Sequence, residues 1–453
     1  MYKPFKTPVV QASPDIKVGE PRVSRFVLFL IWLLTRLYLF LYFGITKVVL
    51  KGDILVHAFK RALAGESRCI IAFRHPNGGE PQILTTFFLF KLIHYAAKMG
   101  VRFNRRPHAV FAYGYDVLRW GGWVARFIMP NVGGMPIYHS KLDSKGIARL
   151  RKAIVDGPYP LAIAPEGQIT YSADTVSRLE PGIFRIGFQA VQQIADKNMN
   201  CPVEVLPVSI HFRFGIIGKS SKERLLRKIE KYCGLPKKTR KLPLAERLVL
   251  CREHILEVNE KRYNIANDGS LSFNERLDRL VNSALETAER MLGIKGERDA
   301  FSRMHKIRQI CWDRIYLPGV DKLNHLSYIQ RNSADIVAGE AWYIARHQEL
   351  VDFCLFFRNK PPTEESSLHS KVEYIQNLWN FASRTMGGAV EDKNNIFIRK
   401  VIIQPGPVIN LSEYLSDYNK DKKATVATVM SKLEKAFVEC IDIADKTEKD
   451  RYR

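Results

Sequence analysis

The sequence predicts an α/β fold: a mixed sheet flanked by helices, preceded by an apolar helix and interrupted by a large, mostly α-helical insertion. Short β-rich runs alternate with helical segments between residues 47 and 215, as in a sheet with helices on its faces. Helical periodicity then continues to about Asn380, and the β pattern resumes only at residue 396. This late return of a strand indicates that the helical stretch is inserted into the α/β domain, or forms a second domain with the sheet's last strand beyond it.

The 453 residues therefore divide into five segments. We predict an irregular N-terminal tail at 1–21, a membrane-associated apolar helix at 22–46, an α/β core at 47–215, a helical insertion at 216–395, and the final strand and C-terminal helix of the core at 396–453.

Within these segments the element boundaries follow the apolar periodicity and the turn residues. The strands expected in the core are Val48–Leu50, Cys69–Phe73, Ala109–Tyr113, Met135–Tyr138, Pro160–Ala164, Val203–His211 and Ile396–Ile403. The expected helices are Gln82–Lys98, Phe184–Asp196 and Ala424–Ala444, with Asn274–Leu292 and Ile336–Phe357 in the insertion and a linker at Pro361–Ser367.

The apolar segment at 26–45 (FVLFLIWLLTRLYLFLYFGI) is long enough to span a bilayer. Arg36 near its middle disfavours a full span, because a central arginine costs about 2.5–3.5 kcal/mol on insertion scales. Trp32, Tyr38 and Tyr42 are residue types that prefer the headgroup level. We therefore expect a helix that lies in one leaflet; a spanning helix and a buried core helix are the alternatives.

The chain is strongly basic, with 70 Lys and Arg against 46 Asp and Glu and a formal net charge of +24. Such an excess predicts a polyanionic partner, either nucleic acid or an anionic membrane surface. The sequence contains no nucleic-acid recognition module, and the apolar segment favours membrane lipids as the partner. The seven cysteines form no C-x-x-C pair, so we expect buried, reduced thiols and no zinc site.

The candidate catalytic residues are His75 and Glu80, in the run 73–81 (FRHPNGGEP) that follows a predicted strand. A turn containing Gly78 and Gly79 can bring the imidazole and the carboxylate together, whereas on a helix five residues would set them about 140° apart. A carboxylate beside the imidazole fixes its tautomer and stabilises the imidazolium. Such a histidine can accept the proton of an alcohol that attacks a carbonyl group.

Three weaker blocks follow in order: 133–139 (GGMPIYH), 164–169 (APEGQI) and 205–208 (VLPV). Together with 75–80 they resemble the four blocks of the glycerolipid acyltransferase family, typified by 1-acylglycerol-3-phosphate acyltransferase: His-x-x-x-x-Asp, Gly-x-Ile-Pro-Ile-x-Arg, Phe-Pro-Glu-Gly-Thr-Arg and Val-x-Pro-Val. The stretch 406–414 (GPVINLSEY) is similar to the Gly-x-Pro-Ile-x-Leu-Ser-x-Tyr run that often closes that family's domain. The resemblance covers about residues 25–215 and 396–445 and leaves out 216–395.

The resemblance implies an acyltransferase-like sheet and transfer of a fatty acyl group to a lipid hydroxyl at a membrane, with the catalytic domain on the cytoplasmic side. His75 would be the general base and Glu80 its orienting carboxylate. Acyl-CoA or acyl-carrier protein would be the co-substrate, with no other cofactor and no metal. The residues expected to bind substrate are Arg74, Asn77, Gly78, Gly79, Gly134, His139, Lys141, Glu166, Gly167 and Pro207. Backbone N–H groups around Asn77–Gly79 are candidate donors to the developing oxyanion.

Three positions depart from the family's pattern. Glu80 replaces the aspartate of the first block, and His139 and Ile169 replace arginines that the family associates with the acceptor's phosphate. The cations Arg74, Lys141, Arg178 and Arg185 lie nearby in sequence and could replace them. Otherwise the acceptor is a lipid without a phosphate, such as an amino-lipid or a glycolipid, or the chain is a lipid-binding scaffold that has lost catalysis.

The insertion begins with a basic stretch, 219–262, that contains 14 Lys and Arg against 6 Glu. This stretch could contact anionic lipid, the phosphates of coenzyme A or an acidic carrier protein. A solvated, charged helix face explains the same composition.

Overall fold

The computed structural model describes residues 9–138, 143–266, 269–296, 299–358, 360–388 and 396–449. The strands of this part of the chain are β1 (Ser13–Pro14), β2 (Lys47–Leu50), β3 (Arg68–Phe73), β4 (Val110–Gly114), β5 (Met135–Ile137), β6 (Leu161–Ile163), β7 (Val203–Arg213), β8 (Tyr316–Leu317), β9 (Lys400–Pro405) and β10 (Ile409–Asn410). Its α-helices are α1 (Arg25–Phe43), α2 (Ile54–Ala64), α3 (Glu80–Phe87), α4 (Ile93–Lys98), α5 (Val117–Trp120), α6 (Gly122–Asn131), α7 (Ser144–Asp156), α8 (Gly182–Asp196), α9 (Ile216–Tyr232), α10 (Leu244–Arg262), α11 (Phe273–Leu292), α12 (Ala300–Ile315), α13 (Tyr328–Cys354), α14 (Leu368–Thr385), α15 (Leu415–Lys420) and α16 (Lys422–Lys449).

The chain forms two compact units. The core unit consists of Val18–Arg213 and Phe397–Arg453, and the helical unit consists of Met1–Lys17 and Phe214–Ile396. These boundaries lie within two residues of the predicted start and end of the insertion. The N-terminal tail was predicted to be irregular, and this is wrong for Ser13–Pro14, which pair in parallel with Tyr316–Leu317 and so belong to the helical unit.

The core unit contains a mixed sheet in the order β2-β9-β7-β3-β6-β4-β5, with β10 paired to β7. Strands β7, β3, β6, β4 and β5 run parallel, whereas β9 is antiparallel to β7. The mixed sheet flanked by helices is therefore confirmed. Strand β9, which follows the insertion, lies between β2 and β7, so the last long strand of the chain completes the interior of the sheet.

The sheet is covered by helices whose apolar faces form the main hydrophobic core. Every residue of β7 is buried, as expected for a strand with helices on both faces. Helices α7, α8 and α16 contribute Leu150, Phe184, Phe188 and Phe437 to one buried cluster with the strands. This packing fixes the ends of the central strands, at which the candidate site lies.

Helix α1 is the one helix of the described residues that is long and apolar enough to cross a membrane by length and composition. Ser24 caps its start by accepting a hydrogen bond from the N–H of Val27, and Gly44 ends it with φ of 68°. One side of α1 is buried along its whole length (Val27, Leu28, Thr35, Leu39, Phe43), and the other side is exposed.

The helical unit is built from α9 to α14. Its basic front end is partly neutralised within the stretch 219–262, because Arg247 contacts Glu230 at 2.7 Å and Glu223 at 3.1 Å. Other cations of that stretch, such as Lys237 and Lys238, are exposed. All seven cysteines of the chain are buried and unpaired, as predicted.

Four predicted elements need correction. In the helical unit, the helix expected at Ile336–Phe357 is Tyr328–Cys354, because Ser327 caps its start eight residues earlier. The helix expected at Gln82–Lys98 begins at Glu80 and contains a π-helical turn at Phe88–Leu92 between α3 and α4. The strand expected at Ile396–Ile403 is Lys400–Pro405, because Ile398 and Arg399 instead donate backbone hydrogen bonds to Phe43 and Arg213. The C-terminal helix extends further than expected, over Lys422–Lys449.

Candidate active site

The candidate site lies at the carboxyl edge of the sheet, where β3 and β6 end side by side. These strands are parallel neighbours, with Ile70 opposite Leu161. The turn after β3 carries His75 and the turn after β6 carries Glu166. Carboxyl ends of parallel strands are the usual location of ligand sites in α/β sheets.

His75 and Glu80 form a direct pair. The Nδ1 atom of His75 lies 2.7 Å from Oε2 of Glu80. The Glu80 side chain is fully buried, whereas the His75 side chain retains 19% of its exposure. Because the carboxylate can only accept at Nδ1, it selects the tautomer with the proton on Nδ1 and leaves Nε2 as the basic nitrogen.

The intervening turn holds the Glu80 carboxylate with two backbone donors. The N–H of Asn77 donates to Oε1 at 2.7 Å and the N–H of Gly78 donates to Oε2 at 2.8 Å. Gly78 adopts φ of 101°, which glycine adopts without steric cost. Glu80 is also the first residue of α3, where the helix dipole favours a negative charge.

A second buried pair supports this turn from behind. Glu166 accepts a hydrogen bond from the backbone N–H of His75 at 2.7 Å, and its other oxygen lies 3.5 Å from Nε of Arg74. Both side chains are fully buried. The Arg74 guanidinium also donates to the carbonyls of Ala173 at 2.6 Å and Ser172 at 2.9 Å, and to that of Thr175. Arg74 thereby ties the turn after β3 to the segment after β6.

Burial is the largest influence on Glu166 and raises the pKa of its carboxyl above the ordinary value. The positive charge of Arg74 and the N–H of His75 act in the opposite direction. Burial therefore disfavours the ionised carboxylate of Glu166 by more than these two partners stabilise it.

These contacts change the expected roles of three residues. Arg74 was expected to bind substrate, but its side chain is fully buried and engaged with protein groups. The N–H groups of Asn77 and Gly78 were expected to face an oxyanion, but they donate to Glu80. Of the predicted set, the N–H of Gly79 is the one that Glu80 does not engage.

The remaining predicted residues are distributed around the sheet edge. Gly167 adopts φ of 73° and donates to Ala164 in the turn beside Glu166. Pro207 lies in β7 opposite Ala72 of β3. Gly134 precedes β5, and a β-carbon there would lie 2.7 Å from the carbonyl oxygen of Met129, so a glycine is required. His139 and Lys141 lie outside the described residues.

Two contributors were missed from the sequence. The backbone N–H of Thr170 donates to the carbonyl of His75 at 3.0 Å and joins the two turns. Phe43, at the end of α1, lies over Gly79: a β-carbon at Gly79 would be 2.8 Å from Cζ of Phe43. No local pattern reports either contact, because each joins segments that are distant in the sequence.

A groove of about 670 Å³ lies along α1 and the downstream part of the helix that Glu80 begins. Most of its walls are apolar, including Trp32, Phe40 and Phe90, and Arg36, Lys47 and Lys91 add three positive charges. None of the described residues that line this groove is acidic. Its volume is within the range of about 300–1,000 Å³ that is typical of small-molecule sites.

No metal-binding group of three or more His, Cys, Asp or Glu side chains occurs among the residues that the structure describes. Comparison of the chain with protein-family models and with curated proteins gave no match.

Proposed function

We propose that the core unit is an O-acyltransferase that moves a fatty acyl group from the thioester of acyl-CoA or acyl-carrier protein to a hydroxyl group of a lysophospholipid or related glycerolipid. The observation that carries the proposal is the 2.7 Å contact between Nδ1 of His75 and Glu80. It supplies a general base whose tautomer is fixed and whose ring is partly exposed.

In the proposed reaction the lipid hydroxyl attacks the thioester carbonyl while Nε2 of His75 accepts its proton. Glu80 stabilises the imidazolium that forms, and the turn N–H groups keep the carboxylate in place. Collapse of the tetrahedral intermediate breaks the carbon–sulfur bond, and the imidazolium returns the proton to the leaving thiolate. The products are an ester and a free thiol, and His75 is regenerated without a covalent acyl-enzyme.

The N–H of Gly79 is the donor we assign to the developing oxyanion. It lies in the same turn as the general base and is not engaged by Glu80. Side-chain substitutions that preserve the turn leave this backbone N–H in place. Its contribution is therefore tested by substituting Gly79 itself, which changes the geometry of the turn.

The groove along α1 fits a lipid substrate, and neither His75 nor Glu80 is among the residues that line it. The groove beside α3 combines apolar walls with three cations, which is the chemistry of an anionic amphiphile. The exposed apolar side of α1 gives the enzyme a means of working at a membrane surface. We propose that the protein is membrane-associated and that its catalytic core is on the cytoplasmic side.

The decisive experiment is acyl transfer by purified protein in detergent micelles, with labelled acyl-CoA or acyl-carrier protein and a panel of lysolipids. His75→Ala should abolish turnover without unfolding the protein. His57→Ala is the matched control, since His57 also contacts a carboxylate (Asp53, 3.6 Å) but is exposed on α2. Turnover retained in His75→Ala would defeat the mechanism, and no turnover with any donor would favour a scaffold that has lost catalysis.

A lipid acceptor without a phosphate is the second candidate. Two of the four cations that could replace the family's arginines favour it, because Arg74 is buried against Glu166 and Arg178 lies 3.3 Å from Glu180, whereas Arg185 is exposed. Amino-lipid and glycolipid acceptors belong in the same panel. Faster acyl transfer to these acceptors than to any lysophospholipid would support an acceptor without a phosphate.

A further inference from the structure

We propose that the core unit binds bilayers through two helices that lie in the plane of one leaflet, α1 and, unexpectedly from the sequence, α6. This mode of membrane binding does not depend on the proposed acyl transfer, and it is tested separately. The sequence pattern of α6 is unremarkable, and its exposed side chains become apparent only in the fold.

Helix α6 presents large apolar side chains to solvent on one side. Trp123 is 78% exposed, Phe127 52% and Val124 44%. Positions 123 and 127 lie one turn apart and therefore share a face. Tryptophan and phenylalanine side chains are the groups that insert most readily at the headgroup level of a bilayer.

The end of the helix that carries this patch adjoins the start of α1. The chain just before α1 pairs with the end of α6, where the N–H groups of Arg22 and Ser24 donate to the carbonyls of Pro130 and Asn131. Behind this junction Val27, Leu28 and Val132 share one small core, against which Ile128 packs. The exposed apolar side of α1 consists of Phe26, Phe29, Leu33, Leu34, Leu37, Tyr38, Phe40, Leu41 and Tyr42.

The packing of α1 disfavours the spanning arrangement. The helix is buried against the core unit from Val27 to Phe43, and Thr35 in its middle hydrogen-bonds to Thr86 at 2.8 Å in a buried position. A span would therefore draw α3 and its neighbouring turns into the hydrocarbon, where irregular backbone and charged groups are not tolerated. In the leaflet plane, Arg36 can extend its charge to the headgroups.

The charge around the two helices fits anionic lipid. The described segments 21–52 and 81–138 contain 12 Lys and Arg and a single acidic residue, Asp116, so they carry +11 of the formal +24. Exposed cations among the described residues of these segments include Arg25, Lys47, Lys91 and Arg126. A second copy of this chain would oppose like charges at the same face, which disfavours a dimer as the occupant of the patch.

The test compares wild type with Trp123→Ser/Phe127→Ser in a lipid titration, using phosphatidylcholine vesicles with and without phosphatidylglycerol. We expect the double variant to partition about tenfold or more weakly, and wild type to prefer the anionic vesicles. Tyr328→Ser/Ile329→Ser is the matched control: these side chains are also highly exposed (81% and 79%) but lie on α13 of the helical unit, and their loss should leave partition unchanged. Equal partition of wild type and the α6 variant would overturn the proposal.

Two further measurements separate the alternatives. Brominated lipid should quench a component of the tryptophan emission that is missing in Trp123→Phe, and identical quenching in both proteins would show that Trp123 stays outside the bilayer. Sedimentation of wild type as a dimer and of Trp123→Ser/Phe127→Ser as a monomer would assign the patch to a second copy instead. Acyl transfer in micelles should be the same for both proteins, so failure of the membrane face and failure of the enzyme are distinguishable.

Discussion

Glu166 accepts a hydrogen bond from the backbone of His75, and not from its ring, at 2.7 Å. The candidate site therefore contains two carboxylates with different tasks. Glu80 acts on the imidazole, whereas Glu166, together with Arg74, fixes the main chain that carries the imidazole. Precise placement of a general base depends on such support, because small displacements of a catalytic group cost large factors in rate.

The stability of the protein should depend on pH through Glu166. Because its folded-state pKa is raised above the ordinary value of 4.5, its favourable contribution is present below pH 4.5 and is lost as pH rises through the folded pKa. We expect the free energy of unfolding of wild type to fall over this range relative to that of Glu166→Gln. Denaturant titrations of both proteins at a series of pH values measure the difference. A difference that grows in favour of wild type at higher pH would show that pairing with Arg74 outweighs burial.

Replacement of Glu80 should separate charge from shape. Glu80→Gln keeps the size but removes the charge and replaces one acceptor oxygen with an NH2 donor, so the side chain can no longer accept from Nδ1–H and both turn N–H groups. We expect acyl transfer to fall by about 10²–10⁴-fold, in the range seen when the orienting carboxylate of a catalytic histidine becomes an amide. Glu80→Asp keeps the charge and should retain partial activity, since the shorter side chain cannot reach the imidazole and both turn N–H groups equally well. Initial rates in micelles measure both, and a Glu80→Gln rate equal to wild type would remove Glu80 from the mechanism.

The approach of His75 to Glu80 could be predicted because glycines and a proline in a five-residue span restrict the turn to a few shapes. The role of Arg74 could not. Its side chain is directed into the protein towards the carbonyls of Ser172 and Ala173, and only the parallel pairing of β3 with β6 places that segment nearby. A basic residue beside a catalytic histidine looks the same in the sequence whether it faces substrate or protein.

The fold was predictable to a similar depth. The alternation of strands and helices indicated a sheet, and the late strand indicated an insertion, but the sequence did not determine that β9 would lie between β2 and β7. Strand order depends on packing between residues hundreds of positions apart. Short helices such as α5 and α6 were missed for a local reason. Segments of four and ten residues contain too few turns to show a clear apolar period.

Loss of Arg74 should destabilise the whole core unit. Arg74→Ala leaves Glu166 buried without its cation and frees three carbonyls, so we expect the free energy of unfolding to fall by about 3–5 kcal/mol. Arg74→Lys should recover little, because an ammonium group cannot reproduce the planar fork. Arg178→Ala is the control, as that side chain is 63% exposed next to Glu180. Denaturant titration distinguishes them, and equal losses for Arg74→Ala and Arg178→Ala would contradict the structural role.

The contact between Phe43 and Gly79 should couple α1 to the turn that carries His75. Gly79 has an ordinary φ of −96°, so alanine there is opposed only by the ring of Phe43, whose Cζ would lie 2.8 Å from the new β-carbon. We expect Gly79→Ala to lower acyl transfer at least about tenfold and the free energy of unfolding by about 1–3 kcal/mol. Phe43→Leu removes the crowding atoms, so the double variant should recover part of both losses, which is the signature of direct coupling in a double-mutant cycle. Gly182→Ala, where a β-carbon meets nothing within 4 Å, is the control. Strictly additive losses in the double variant would mean that α1 and the turn that carries His75 are not coupled energetically.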